Sequence, residues 1–495
     1  MHAENNKRLA VEQLMRGDSR IKSRSILPIV VVFLNILFIV IAIIWFFSLS
    51  ESTFDWSTQR YIVSFFTTVL FVFNLIANKK RQVRFFSLYG VFFLFFALFN
   101  FGQCFLWAFG IHLEKEIGEI SAYGVYLYDE SIIKAELLSA IAIIAFNTGN
   151  LLQRRHSCDN DSEKENNSEH AEILKVIGLI LFIPSYCVTM YLAISKMNMS
   201  LEYGYLNASI ATDSTANTLL VCIQRLFVPS IFCIIIGYKY NKKVFLLMVM
   251  LFLSYMMVGI VTGDRGEWLY SLCLLALIYH EKIKAIRFKQ WIIIGVVGLI
   301  ALTVLSSIRD NRNDTKTFVS LNTNYSLSDN AVTESISEMG SSMQVAGVII
   351  QAGDNPYPYG NTYLLSLLGV FSDKVVRFFV PDYVDLNSWF SKDYLHLNGW
   401  GAGFSFVAEA YMNSGVLGSI AIFIIFGYFI SKVMTNRKND LEYIIAIIVF
   451  IGAIGLVRGT MSYNLKILFF DLAAIGLLYS IIKNKVSRRT LCESR

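Results

Sequence analysis

Charge and proline are both scarce in this sequence: 16% of its 495 residues are charged and six are proline. Soluble domains carry about 25% charge, and here 55% of residues are hydrophobic, 39 of them Phe, which excludes a water-soluble chain of this length and leaves an integral membrane protein. Cysteine is sparse too. The seven thiols show no C-x2-C pairing, and Cys104, Cys187, Cys222, Cys233 and Cys273 lie inside apolar runs, where thiols pack as small hydrophobes. Neither a disulfide framework nor a zinc site follows. A Walker sequence and a G-x-G-x-x-G turn are missing, which removes the usual grounds for nucleotide chemistry. No cofactor, metal or nucleic-acid partner is expected, and there is no internal repeat.

What is present is a succession of apolar runs. A helix needs roughly 20 such residues to cross the hydrocarbon, and that length predicts twelve spans, at 26–49, 61–77, 85–109, 132–152, 176–194, 219–238, 244–261, 268–285, 291–305, 416–430, 441–457 and 467–482. The first is too long for a signal-peptide core and is read as a retained span. Segments that alternate to the side of the N-terminus hold 29 of the 43 Lys and Arg, so the positive-inside rule places both termini in the cytoplasm. The expected fold is an all-α polytopic membrane protein of about twelve transmembrane helices with one large external loop. Its parts are a cytoplasmic tail (1–25), nine spans (26–305), the external loop (306–415), three spans (416–482) and a second cytoplasmic tail (483–495). The polar stretch "SCDNDSEKENNSEHAE" reads as a disordered linker. In the external loop, residues 361–380 have apolar positions at roughly helical spacing and suit the membrane interface.

Several charges stand where apolar residues are expected. "VGIVTGDRGEWLY" sets Asp264, Arg265 and Glu267 between two apolar runs, with Gly263 and Gly266 permitting a tight reversal. Arg225 lies about seven residues into the sixth span, roughly 10 Å from its outer end at 1.5 Å per residue. Arg458 tops the eleventh span, Lys134 and Glu136 enter the fourth, and Arg309 and Arg312 open the long loop. Each Arg taken alone is explained equally well by pairing with a nearby carboxylate. Together they are costly enough in a membrane to mark a substrate path, and their shared outer depth suits a lipid-linked phosphate or pyrophosphate, which guanidinium binds in fork fashion without losing its proton. The aromatics of "DYVDLNSWFSKDYLHLNGWGAGFSF", with Tyr394 and Trp400 among them, fit a headgroup belt. Flat rings that stack on sugars are the alternative reading.

The stretches "TGDRGEWLYSL", "NPYPYGNTYLLSLL" and "NGWGAGFSFVAEAYMNSGVLG" resemble the bacterial Wzy-type O-antigen or oligosaccharide repeat-unit polymerases, over roughly Val258–Gly418. The resemblance implies a multi-span glycosyltransferase of the bacterial cytoplasmic membrane, working at the external leaflet. Such an enzyme moves a growing glycan from undecaprenyl pyrophosphate onto a new lipid-linked repeat unit, for capsule, exopolysaccharide or O-antigen. Membrane lipid, a flippase and chain-length regulators would be its partners. That reaction asks for a cationic grip on the pyrophosphate: Arg265 and Arg458 first, then Arg225, Arg309 and Arg312. It asks for a base, Glu409 ahead of Glu267 and His396, and for sugar contacts at Trp400, Tyr394 and Asn413, although Asn413 serves equally as a helix cap. Alternatives are a ligase using the same donor, a lipid-linked oligosaccharide flippase or secondary transporter, and a purely structural or sensory membrane protein.

Overall fold

The computed structural model describes residues 26–49, 55–81, 85–153, 163–203, 218–262, 267–298, 331–397 and 402–493, except 115, 120, 122, 288, 292, 296–297 and 354; at 163–168, 218, 267, 331 and 486–493 only the backbone is described. Sixteen helices are labelled here: α1 (Leu27–Ser48), α2 (Trp56–Lys80), α3 (Leu88–Trp107), α4 (Asp129–Leu152), α5 (Glu163–Tyr203), α6 (Thr218–Arg225), α7 (Phe227–Gly237), α8 (Lys242–Thr262), α9 (Glu267–Ile278), α10 (Ala331–Met339), α11 (Ser342–Ala352), α12 (Thr362–Leu368), α13 (Asp373–Phe379), α14 (Phe406–Thr435), α15 (Asp440–Val457) and α16 (Met461–Glu493). The fold is all-α and polytopic, with ten stretches among the described residues long and apolar enough to cross a membrane. They match ten of the twelve expected spans. The eighth is shorter than expected, twelve residues of α9 followed by a π-helical turn at Tyr279–Ile283, and the ninth lies largely outside the described residues.

The centre of the bundle is α4. From Ser131 to Leu151 every residue except Lys134 is buried, and its Ala, Ser and Gly content explains how other helices come so close. Helix α14 lies against it through a glycine on each side. A Cβ at Gly149 would overlap the Ile424 carbonyl, and one at Gly427 would overlap the Phe146 carbonyl. Peripheral helices keep apolar faces outward: Phe33 and Phe47 on α1 are 65% and 66% exposed, as lipid-facing side chains should be.

A ladder of amides ties α1, α2, α4 and α14 together. Asn35 donates to Asn74 (2.9 Å) and Thr148 (2.9 Å), Asn147 to Asn74 (2.6 Å), Asn78 to Asn147 (2.8 Å), Asn150 to Asn78 (2.7 Å) and Ser431 to Asn150 (2.5 Å). Each amide has found a partner, as burial in lipid requires.

The loops gather at two ends. At one, Arg81 donates to the Leu151 and Gln153 carbonyls, Tyr240 to Asp440 (3.1 Å), and Arg437 pairs with Glu281 (3.1 Å). At the other, which we call the site end, Arg60 pairs with Asp129, Gln351 donates to the Tyr126 carbonyl (2.9 Å) and Tyr123 to the Ala402 carbonyl (3.1 Å).

One expectation is corrected. The polar linker is helical from Glu163 onward, because Ala171, Leu174 and Ile177 at helical spacing bury against the bundle and carry α5 back into it. Segment 306–415, expected as a large external loop with amphipathic segments, contributes packed helices to the bundle. Helices α10 and α11 form a hairpin whose turn at Gly340 sits on Gly102 of α3, where a Cβ on Gly102 would come within 2.5 Å of the Ile336 carbonyl. Helix α11 is buried from Ser342 to Ile350.

Candidate functional site at the α15–α16 turn

The sixth span is broken at Arg225, and Pro229 is the reason. A proline at 229 has no N–H to give the carbonyl four residues back, which belongs to Arg225, so α6 ends there and α7 begins at Phe227. The break presents the Arg225 side chain to the start of α16. It donates to the Tyr463 hydroxyl (2.5 Å), and the guanidinium lies 4.8 Å from that ring's centre. Two turns further along the same face of α16, Asp471 is 3% exposed, lies within electrostatic range of Arg225, and leaves Oδ1 without a hydrogen bond among the described residues.

Arg458 follows the last residue of α15, five positions before Tyr463. It is exposed, with its guanidinium 5.2 Å from the centre of the Phe99 ring and the hydroxyls of Tyr270 and Tyr123 in electrostatic range. Burial raises the Tyr123 hydroxyl above its ordinary pKa, and the Arg458 charge pulls it part of the way back. Neither Arg225 nor Arg458 forms an ion pair with a described carboxylate, so pairing of each Arg with its own acid does not account for them. Arg265, Arg309 and Arg312 lie outside the described residues.

Between these cations the turn is held by Glu409. Its side chain is fully buried; Oε1 accepts from the Thr362 hydroxyl (2.7 Å) and Oε2 from the Met461 N–H at the first position of α16 (2.8 Å). An acid at a helix N-terminus satisfies one of its unpaired donors. Asn413 completes the network, accepting from Thr362 N–H (2.9 Å) and donating to the Thr362 hydroxyl (2.7 Å) and the Glu409 carbonyl (2.9 Å). Helix α14 can place both residues there because it kinks at Gly415, whose φ of 63° glycine adopts without strain. Burial, and then the Glu409 charge, holds the neighbouring Tyr363 hydroxyl well above its ordinary pKa. Among the other base candidates, Glu267 begins α9 with its side chain outside the description, and His396 is exposed with a left-handed φ of 52°.

Aromatic rings roof the turn. Tyr394 stacks on Phe390 (6.0 Å, 11°) and tilts against Trp389 (5.3 Å), which meets Tyr357 edge-on (5.3 Å). Tyr383 reaches Ser462 on α16, and burial pushes its hydroxyl up to about 12. Trp400 is outside the described residues. Beside the roof, Lys466 of α16 pairs with Asp373 of α13 (2.5 Å), and α12, α13 and the link between them expose Leu364, Leu367, Phe371 and Phe378, the last 81%. The positions missed in the sequence, Thr362, Tyr463, Lys466 and Asp471, are ordinary polar residues. Only Asp471, an acid deep in an apolar run, carried a signal.

Membrane helices that bring two arginines to one turn, under a roof of aromatic side chains, define a multi-pass membrane protein with a cationic site at one end. The family described as O-antigen polysaccharide polymerase Wzy matches the chain over residues 29–489, and the chain belongs to that family. Membership carries repeat-unit polymerisation, a glycosyltransferase-like activity. No curated protein and no solved structure matches the chain.

Proposed function

We propose that the protein extends a surface polysaccharide by moving a glycan from a lipid-pyrophosphate carrier onto a lipid-linked repeat unit, at the outer face of the bacterial cytoplasmic membrane and with both termini inside. The observation that carries this reading is the convergence of Arg225 and Arg458 on one turn, neither in an ion pair with a described acid, where developing pyrophosphate charge is stabilised as the glycosidic bond to the carrier breaks. A fixed guanidinium keeps its charge in a partly dry site and meets phosphate oxygens in pairs. Arg265, Arg309 and Arg312 complete the grip in this reading. Tyr394, Trp400 and the neighbouring rings offer flat faces to the sugars.

Glu409 has both oxygens engaged, which suits a residue that positions Met461, and through it Tyr463 and Lys466, better than one that waits for a proton. His396 and Glu267 then stand as candidates for the base. The test is reconstitution of the purified protein with lipid-linked repeat units: the products should form a ladder of increasing length. Repeat units that stay single under several lipid conditions would overturn the proposal.

A further inference from the structure

A second polar site lies away from the cationic turn, between α2 and α4. These helices run side by side in the same direction at an offset of 72 residues: Ser64 meets Glu136, Asn78 meets Asn150 and Arg81 meets Gln153. The same offset sets Thr67 beside Ser139. Ser64, Thr67, Glu136 and Ser139 are all fully buried. Ser64 donates to Glu136 Oε1 (2.5 Å), yet among the described residues Glu136 Oε2, Thr67 Oγ1 and Ser139 Oγ have no hydrogen-bond partner. Side chains on a helix lean toward its N-terminus, so Thr67 and Ser139 lean back toward the free carboxylate oxygen.

The charge count around it does not close. Arg60 is ion-paired with the half-exposed Asp129 and makes no ion pair with Glu136, while Lys134 is taken by Glu130 (2.6 Å). From α3, the Cys104 side chain reaches Ser64 and brings no cation. An ionised Glu136 therefore leaves one enclosed negative charge that accepts a described hydrogen bond from Ser64 alone, an expensive arrangement in the absence of a counter-ion.

We propose that Glu136 Oε2, Thr67 Oγ1 and Ser139 Oγ, with a lone pair of Ser64 Oγ, bind one sodium ion that braces α2 against α4. Oxygen ligands suit a hard cation, and a single carboxylate balances one positive charge. The site stands apart from the polymerase reading and does not depend on it.

The test uses the purified full chain in nanodiscs, with thermal unfolding followed by tryptophan fluorescence in sodium chloride and in choline chloride of equal ionic strength. Wild type should unfold several degrees higher in sodium, with saturation. Glu136→Gln, which keeps the shape and removes the charge, should lose that difference. If Glu136→Gln does not accumulate, Thr67→Val with Ser139→Ala should shift half-saturation to at least tenfold more sodium. Coincident wild-type curves in the two salts would show a protonated or Arg-neutralised Glu136 and overturn the proposal, as would an unchanged sodium response in either variant.

Discussion

Glu409 on α14 accepts the backbone N–H of Met461 at the start of α16 (2.8 Å), a contact across 52 residues of sequence. It fixes the N-terminal turn of α16 relative to the kinked start of α14, and so fixes the place where Arg225 finds Tyr463. Glu409→Gln retains one acceptor and turns its amide toward the Thr362 hydroxyl, which still has a lone pair to offer. The expected result is activity within about tenfold of wild type, whereas loss of a general base costs 10²–10⁴. A loss of a thousandfold in protein that folds normally would restore Glu409 to the role of base.

Lysine in place of either cation keeps the charge and loses the fork. Arg225→Lys and Arg458→Lys should each lower polymer formation about a hundredfold, the scale for removing one charge-stabilising donor, with unchanged protein in the membrane. If both variants make ladders at wild-type rates, the two side chains only tie helices together.

Pro229→Ala tests how the backbone aims Arg225. Alanine returns the N–H to the Arg225 carbonyl, and a helix interior favours it over proline by about 3 kcal/mol. The variant should therefore be at least as stable as wild type while losing more than tenfold in activity, because a continuous helix swings Arg225 away from Tyr463. A stable variant with full activity would show that the break is incidental.

The fold was largely legible because span length is a property of a long segment and needs no partner to be recognised. Contacts between segments were not legible. The amide ladder reads in sequence as isolated Asn residues in apolar runs, because its meaning lies in partners on other helices, 39 to 281 residues away. Helix α11 hid for a related reason: eleven residues are too few to span a bilayer, so "SMQVAGVIIQA" looked like part of a loop. At the site, Arg225 and Arg458 were legible from the cost of charge in lipid. Thr362 and Tyr463 were not, since a hydroxyl near a membrane surface costs little in any position.

Asn147 is the node of that ladder, accepting from Asn78, Tyr89 (3.0 Å) and Asn150 (3.3 Å) and donating to Asn74. Side-chain hydrogen bonds between membrane helices average about 0.6 kcal/mol each, so Asn147→Leu should cost ~2 kcal/mol or more once the stranded amides are included. Thermal unfolding in nanodiscs measures this, and an unchanged midpoint would mean that water or neighbouring amides replace the lost bonds.

The tightest glycine approach among the described residues gives the last prediction. At Gly427 an added Cβ meets the carbonyl of Phe146, which is main chain of the central helix and cannot rotate away; at Gly476 it meets nothing within 4 Å. Overpacking of this kind costs typically about 1–3 kcal/mol and more where backbone must move, so Gly427→Ala should lower the unfolding midpoint and the level of protein in the membrane. Gly476→Ala, on the lipid-facing part of α16, should gain up to about 1 kcal/mol from helix propensity. The pair shares one chemical change, so the difference between them isolates the α4–α14 approach. Equal midpoints would show that these two helices can part without loss, and that the amide ladder alone holds the centre of the bundle.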